Sequence, residues 1–232
     1  MKKQLGSALL CALLVLALCA CAPSKGENVS KFDAVTYVDG LIKENYLGQF
    51  DPEYLELVGI SEEEAQSTYH NGIHMDVDYF TYMYGIEYPT DDFEEEVEDL
   101  FKEIYSHTKY QVVSAAKQDD GSYSVKVDVE PIDIIQLCES EWDKTVKDFY
   151  EKYTTERLNT MTDREYEKVD KEWAQLILDL YKSKMEEIGN QDAQSISIQL
   201  ELDKDGYYTI NSDDFARLDK LILDWSGAGS KV

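Results

Sequence analysis

The feature that most constrains the fold of this chain is a change in hydrophobic period, from helical to extended, which occurs twice. Apolar residues recur every three to four positions in three segments between residues 34 and 104, and then alternate with polar residues through 110–129. The same change follows the helical pattern of 135–188, with alternation through 195–210. A period of 3.6 predicts amphipathic helices, and a period of 2 predicts half-buried strands. We therefore predict helices and a hairpin, followed by further helices and a second hairpin.

Local signals indicate where the long helices begin. Ser61 and Glu64 have the spacing of a capping box, and Thr162 and Glu165 have it again. Thr90 or an aspartate after it is the expected cap of another helix, and the acids that follow are favoured in a first turn by the helix dipole. In the first hairpin the alternate residues that should share one face are Tyr123, Val125, Val127 and Val129.

These elements predict an α+β fold in which antiparallel β-hairpins pack against long amphipathic helices. The repeated order suggests an internally duplicated unit, with one copy in residues 32–132 and the other in 133–232. The sequence leaves open whether the two hairpins join one sheet, and therefore whether the two copies form one domain.

The first residues have the pattern of an export signal. Lys2 and Lys3 precede an uncharged apolar run from Leu5 to Cys21. This run is too short and wrongly flanked for a mature membrane span. We predict a signal peptide at 1–20 and, because the next residues are small and polar, a flexible tether up to residue 31.

The end of this signal is more specific than an ordinary cleavage site. Leu18, Cys19, Ala20 and Cys21 resemble a bacterial lipobox. In lipoproteins with this signal the last cysteine becomes the first mature residue and carries diacylglycerol and a fatty acid such as palmitate. The resemblance implies that Cys21 is lipidated and anchors the protein to the bilayer at the extracytoplasmic face of the cell membrane. A plain secretory signal is the alternative.

A wider resemblance rests on three stretches: the lipobox, the opening "VTYVDGLIKENYLGQFDPEYLELVGISEEEAQ" and the strand "YSVKVDVEPID". Together they resemble a broad group of uncharacterised Gram-positive lipoproteins. Their helix-plus-hairpin domains are likened to the cystatin-like or NTF2-like fold. The resemblance implies a compartment and a fold class, and it assigns no catalytic residue.

The charge limits the possible partners. The chain carries a formal net charge of −26. Nucleic-acid binding requires a basic surface, so this class of function is excluded. An acidic protein instead favours cations, and we expect a cationic peptide, a basic envelope protein or a small ligand as the partner.

Two histidines raise the question of a metal site. His70 and His74 lie one helical turn apart, a spacing that can place two imidazoles on one zinc ion. A third ligand would have to come from another element, such as His107 or the acidic helix after Thr90. No Glu follows His70, so the general base of an HExxH metalloprotease is missing. We favour an ordinary amphipathic helix over a metal site and assign no cofactor.

A cluster of tyrosines is the other candidate site. The stretch "DYFTYMYGIEY" contains four of them, and they cannot all face one core. Tyrosines exposed in a groove suit ligand contact, because the ring is apolar and the hydroxyl is polar. The candidate binding residues are Tyr79, Tyr82, Tyr84 and Tyr88. Core packing is the alternative interpretation of these residues.

No catalytic motif is present. The sequence lacks a nucleophile elbow, a phosphate-binding loop and a dinucleotide fingerprint. Cys138 falls on an apolar helical stripe beside Trp142, a position typical of an inert buried thiol. We predict a non-enzymatic lipoprotein that binds a ligand or partner, with a cell-envelope hydrolase, metal-assisted or not, as the alternative. A substrate receptor for an importer ranks last, because the chain is short for two lobes.

Overall fold

The computed structural model describes residues 32–204 and 206–228. The predicted signal peptide, Cys21 and the tether therefore lie outside the described residues. Within the described part no helix is long and apolar enough to cross a membrane.

The elements alternate between helices and hairpins as the hydrophobic period predicts. The helices of the first half are α1 (Ala34–Ile42), α2 (Pro52–Val58), α3 (Glu62–Met83) and α4 (Asp91–Ser106). Strands β1 (Lys109–Lys117) and β2 (Tyr123–Glu130) form the first hairpin. The second half contains α5 (Ile134–Lys152), α6 (Thr155–Leu158), α7 (Asp163–Lys184), β3 (Gln194–Leu202), β4 (Tyr208–Ile210) and α8 (Ser212–Ile222).

The two hairpins join one four-stranded antiparallel sheet in the order β1-β2-β3-β4. The central pairing is that of β2 with β3, which sets Val125 opposite Ile198 and Val127 opposite Ile196. These valines and Ile198 are fully buried. The residues between them form a polar face, where the Ser124 and Ser197 hydroxyls are 2.8 Å apart. The predicted α+β class is confirmed, and the sheet buries one face only.

Helices α1 and α8 lie directly against the buried face of the sheet, and α8 is held there by a buried acid. Asp214, which is 5% exposed, accepts a 2.7 Å hydrogen bond from the backbone N–H of Gln199 in β3. Both halves of the chain contribute to one continuous hydrophobic core, including Leu41, Phe80, Ile177 and Leu218. The proposed duplication of the helix-hairpin unit stays a prediction, since only the order of elements repeats.

The capping boxes form as the sequence predicts. The Ser61 N–H donates to Glu64 Oε2 at 2.8 Å, and the Thr162 N–H donates to Glu165 Oε2 at 3.0 Å. Thr90 caps α4 through its hydroxyl, which accepts from the Phe93 N–H. One boundary was wrong: the apolar pattern that continues to residue 188 runs past the end of α7 at Lys184.

Two short helices, α2 and α6, have no counterpart among the predicted elements, because seven and four residues are too few to show a period. Helix α2 is placed by close contact with α1. The ring of Tyr54 lies so close to Gly40 that a Cβ at Gly40 would be 2.1 Å from the Tyr54 Cγ. Tyr54 is 3% exposed, so its ring cannot swing into solvent without losing this packing.

We expect Gly40→Ala to destabilise the protein, because the added methyl overlaps the Tyr54 ring. Overpacking of this kind costs about 1–3 kcal/mol, which outweighs the gain in helix propensity. Gly72→Ala is the matched control, since it is also inside a helix and a Cβ there meets nothing within 4 Å. We expect that change to stabilise by about 0.5–1 kcal/mol. Urea unfolding measures both, and a shift in the same direction for the two variants would contradict the packing account.

Candidate ligand-binding cavity

A cavity of roughly 330 Å³ lies where the end of α3 meets α5, α6 and α7. Seven of its twelve lining residues are aromatic. The residues that line it are Tyr82, Met83, Tyr84, Gly85, Trp142, Phe149, Tyr150, Leu158, Tyr166, Val169, Asp170 and Trp173. Its volume falls at the small end of the range for ligand pockets.

The end of α3 supplies one wall, and its backbone is fixed by a glycine. Gly85 has φ of 63°, a left-handed conformation that residues with a side chain rarely adopt. The turn is closed by the Ile86 N–H, which donates to the carbonyl of Thr81 at 2.9 Å. The indole N–H of Trp173 in α7 then donates to the Tyr84 carbonyl at 2.8 Å. Tyr84 is thereby held against α7.

A buried carboxylate joins the next loop to the same helix. Asp170 is 4% exposed and accepts hydrogen bonds from the backbone N–H groups of Glu87 and Tyr88, the shortest at 2.8 Å. Burial raises the pKa of Asp170, and the two N–H donors partly offset that rise. Asp170 thus orders the loop between α3 and α4 and places one acid in the cavity wall.

The opposite walls come from the inner faces of α5 and α7. Trp142 and Phe149 are seven residues apart on α5, while Tyr166, Asp170 and Trp173 follow helical spacing on α7. The ring centres of Trp142 and Trp173 are 5.8 Å apart, and those of Phe149 and Trp173 are 4.8 Å apart. The indole N–H of Trp142 is buried and has no hydrogen-bond partner within the described part of the chain.

The rim of the cavity is open to solvent. Tyr82 is 70% exposed and Tyr150 is 37% exposed, and both line the opening. Tyr166 donates from its hydroxyl to Glu87 Oε1 at 3.2 Å. Burial and the charge of Glu87 raise the pKa of Tyr166 to about 12, so it remains a neutral hydroxyl. The site is an aromatic cavity with an open rim, polar groups among its rings, and acids at its wall and edge.

The four tyrosines predicted as binding residues separate in the structure. Tyr82 and Tyr84 line the cavity, although the hydroxyl of Tyr84 is buried against that of Tyr181. Tyr88 lies beside the rim, with its ring centre 6.3 Å from that of Tyr166. Tyr79 points elsewhere, to Trp225. That any of them contacts a ligand stays a prediction.

The two histidines do not meet a third ligand. His70 and His74 are both exposed, and the nearest carboxylate oxygen to His74 Nδ1 is Glu98 Oε1 at 3.7 Å. His107 ends α4 as its C-cap. Among residues 32–204 and 206–228, no group of three or more His, Cys, Asp or Glu is arranged to hold a metal ion.

The remaining cysteine of the described chain occupies the core. Cys138 is 3% exposed, and burial raises the pKa of its thiol to about 12. A thiol that stays protonated at neutral pH is a poor nucleophile. The buried position of Cys138 agrees with the apolar helical stripe on which the sequence places this residue.

A second group of polar residues lies between α3, α4 and α8. The Tyr46 hydroxyl donates to Asp219 Oδ1 at 3.2 Å, and a hydrogen bond from Tyr105 favours the ionised form of Asp76. Burial and the charge of Asp219 raise the pKa of Asp76, while burial raises that of Asp219 to about 6. Asp219 keeps contact with solvent, and Asp76 is half-buried.

Sequence reasoning missed most of the cavity, because its walls carry the pattern of an ordinary core. Trp142, Phe149 and Trp173 recur at helical spacing and are interpreted as buried packing residues. One signal could have drawn attention to them. Asp170 interrupts the stripe of α7 between Tyr166 and Trp173, and a carboxylate among aromatic residues needs specific partners if it is to be buried.

Comparison with known proteins supports the fold alone. No family model and no curated protein matches this chain. A crystal structure of YcdA, a lipoprotein candidate from Bacillus subtilis subsp. subtilis str. 168, is similar with a TM-score of 0.56 and 14% identity. The similarity covers 82% of this chain and 56% of the YcdA chain, so it spans little more than half of that protein.

We expect the stability of the protein to fall as the pH rises from about 4, the pKa of an unfolded aspartate, toward neutrality. The pKa of Asp76 is higher in the folded state, so the folded protein holds this proton more tightly and loses that advantage at higher pH. Asp76→Asn should make the fall in the free energy of unfolding between pH 5 and pH 7 smaller than in the parent.

Urea unfolding at the two pH values measures this change. Burial also raises the pKa of Glu44, Asp170 and Asp219, so part of the fall should remain in the variant. Asp78→Asn is the control, because Asp78 is exposed on the same helix. An equal effect of the two substitutions would show that the environment of Asp76 is not responsible.

Proposed function

We propose that this protein is a lipid-anchored, non-enzymatic binding module on the extracytoplasmic face of the cell membrane, and that the aromatic cavity is its ligand site. The cavity is the observation that carries the proposal. It combines a concave shape, apolar rings and a small number of placed polar groups, which are the usual properties of a small-molecule site.

The anchoring part of the proposal rests on the sequence around Cys21 and agrees with the fold. YcdA, which is described as a lipoprotein candidate, has a similar fold. We also propose that the chain belongs with the uncharacterised Gram-positive lipoproteins that it resembles. A cystatin-like or NTF2-like origin of the sheet remains part of this proposal.

The alternative function, an envelope hydrolase, has no comparable support. Within the described residues the two histidines lack a third ligand, and Cys138 is a buried thiol with a raised pKa. The aromatic cavity, in contrast, is lined by residues of four helices, and hydrogen bonds at Asp170 and Trp173 join α7 to the end of α3 and the loop after it.

We expect the cavity to bind the neutral fluorescent probe N-phenylnaphthylamine at one site per chain, because the aromatic walls exclude water from the dye. Leu158→Trp should weaken this binding at least about tenfold, since Leu158 lines the cavity and a larger side chain fills it. Leu202→Trp is the matched control at an exposed position outside the lining. Fluorescence titration gives both affinities. No saturable binding, or an equal loss in the two variants, would refute the proposed site.

We expect Cys21→Ser to move the full-length protein from the membrane fraction to the medium of a Gram-positive host, because serine cannot form the thioether to diacylglycerol. Cys19→Ser should leave the protein on the membrane, since a small residue at that position still fits a lipobox. Fractionation followed by immunoblotting, with labelled palmitate, measures the outcome. Membrane retention of the Cys21 variant, without label, would contradict anchoring at this residue.

A further inference from the structure

We propose that the ligand of the cavity is a neutral saccharide, which stacks a sugar ring on the exposed tyrosines of the rim. The inference rests on the proposed function and deepens it, because it names the ligand class of the same cavity. Three observations carry it: where the exposed tyrosines lie, which polar groups lie beside them, and which charges the described lining contains.

The exposed tyrosines of this protein are gathered at the cavity. The sequence contains 17 tyrosines. Within residues 32–204 and 206–228 the exposed ones are Tyr82, Tyr88 and Tyr150, at 70%, 38% and 37% of their surface. Tyr82 and Tyr150 line the opening, and the ring of Tyr88 contacts that of Tyr166 in the wall. Tyrosine rings left in water at one opening indicate a contact surface, because such rings are enriched where proteins bind.

The two lining tyrosines belong to different helices, Tyr82 to α3 and Tyr150 to α5, so a ligand in the opening meets a ring from each. The deeper rings of Trp142, Phe149 and Trp173 pack against one another and form the base of the cavity. A pyranose whose hydroxyls are equatorial has flat faces made of C–H groups. Stacked on a tyrosine ring, such a face is removed from water while the hydroxyls remain at its edge.

Polar groups at the rim suit those hydroxyls. The Tyr166 hydroxyl lines the cavity and donates to Oε1 of Glu87, which is an exposed residue. A carboxylate can accept several hydrogen bonds, and a tyrosine hydroxyl can both donate and accept. A wholly apolar ligand would remove these groups from water without replacing their hydrogen bonds, which is costly. A saccharide supplies an apolar face and hydrogen-bonding hydroxyls together.

The charges at the cavity favour a neutral saccharide over an anionic one. No lysine or arginine is among the described residues that line it, whereas Asp170 is in the wall and Glu87 is at the rim. A ligand with carboxylate or phosphate groups would therefore meet like charges without a compensating cation. The nearby cations Lys152 and Arg157 lie over the ring of Tyr153, which is outside the lining.

The probe for this inference is cellotetraose, because its ring hydroxyls are equatorial and both faces of each sugar ring are apolar. Sorbitol is the first control, since it has the hydroxyls without the ring. Isothermal titration of the chain from residue 22 onward should show saturable binding of cellotetraose. Sorbitol should bind at least about tenfold more weakly, because it cannot stack on two tyrosines.

A second pair of probes isolates the charge. The hydroxyethyl and carboxymethyl derivatives of cellotetraose carry substituents of similar size, and only the second is anionic. The carboxymethyl derivative should bind more weakly than the hydroxyethyl derivative, because its carboxylates approach Asp170 and Glu87. Equal affinities, or tighter binding of the anionic derivative, would overturn the preference for a neutral saccharide.

Substitutions at the rim locate the sugar. Tyr82→Ala and Tyr150→Ala should each weaken the binding of cellotetraose about threefold to tenfold, because each removes one stacking ring. Tyr82→Phe and Tyr150→Phe are the matched controls, since they keep the ring and lose only the hydroxyl, and their affinities should stay close to that of the parent. All four changes are at exposed positions, so the core is left intact. Equal losses in the alanine and phenylalanine variants would overturn the stacking of a sugar on these rings.

Competition with N-phenylnaphthylamine separates this inference from the proposed function. Cellotetraose should displace the dye from the cavity. Sugar binding that leaves the dye in place, or that equals the binding of sorbitol, would overturn the inference. Dye binding without any binding of cellotetraose would also overturn it and leave a cavity for another ligand, such as a side chain of a protein partner. Failure of the sugar and the dye alike would remove the proposed function itself.

Discussion

The pairing of β2 with β3 is the interaction on which the rest of the structure depends. It joins hairpins that are about seventy residues apart in the chain and sets apolar residues of both on one face, with Val127 opposite Ile196. A shift of one residue would turn the apolar row of one of the two strands toward water, so burial against α1 and α8 fixes the register. The outer strands limit further pairing, because β1 carries a bulge between Val112 and Ser114 and β4 has only three residues.

The positions of helices α3, α5, α6 and α7 depend on contacts between residues far apart in the chain. The cavity lies where these four helices meet. The long helices α3 and α7 both begin with a capping box. Helix α3 ends at its C-cap Tyr84, and α7 ends at its C-cap Met185. At the cavity, hydrogen bonds hold the two helices together. Asp170 of α7 accepts from the loop after α3, and the indole N–H of Trp173 donates to the carbonyl of Tyr84. These bonds add to direct packing between the two helices, in which the ring centres of Phe80 and Tyr181 are 5.3 Å apart. The cavity opens beside this contact.

The acidity of the chain bears on its partners only in general terms. A net charge of −26 by itself says only that cations are favoured near the surface. The cavity adds one carboxylate, that of Asp170, at the proposed ligand site.

The sequence by itself determined the α+β class, the positions of the long helices and hairpins, and the capping boxes, and it predicts the lipidation signal. Each of these depends on neighbouring residues, through a repeat of apolar positions or through a side chain that bonds its own backbone a few residues away. Periodicity could not reveal the short helix α2, whose place is set by the contact of Tyr54 with Gly40. Only the tertiary structure decided that the hairpins share one sheet. It also decided that Tyr82 and Tyr84 line one cavity with Trp142 and Trp173, while Tyr79 does not, and that Asp170 is buried in the wall of that cavity. The physical reason is that a tryptophan in a filled core and one in a cavity wall have the same helical spacing, and they differ only in what the other helices bring opposite them.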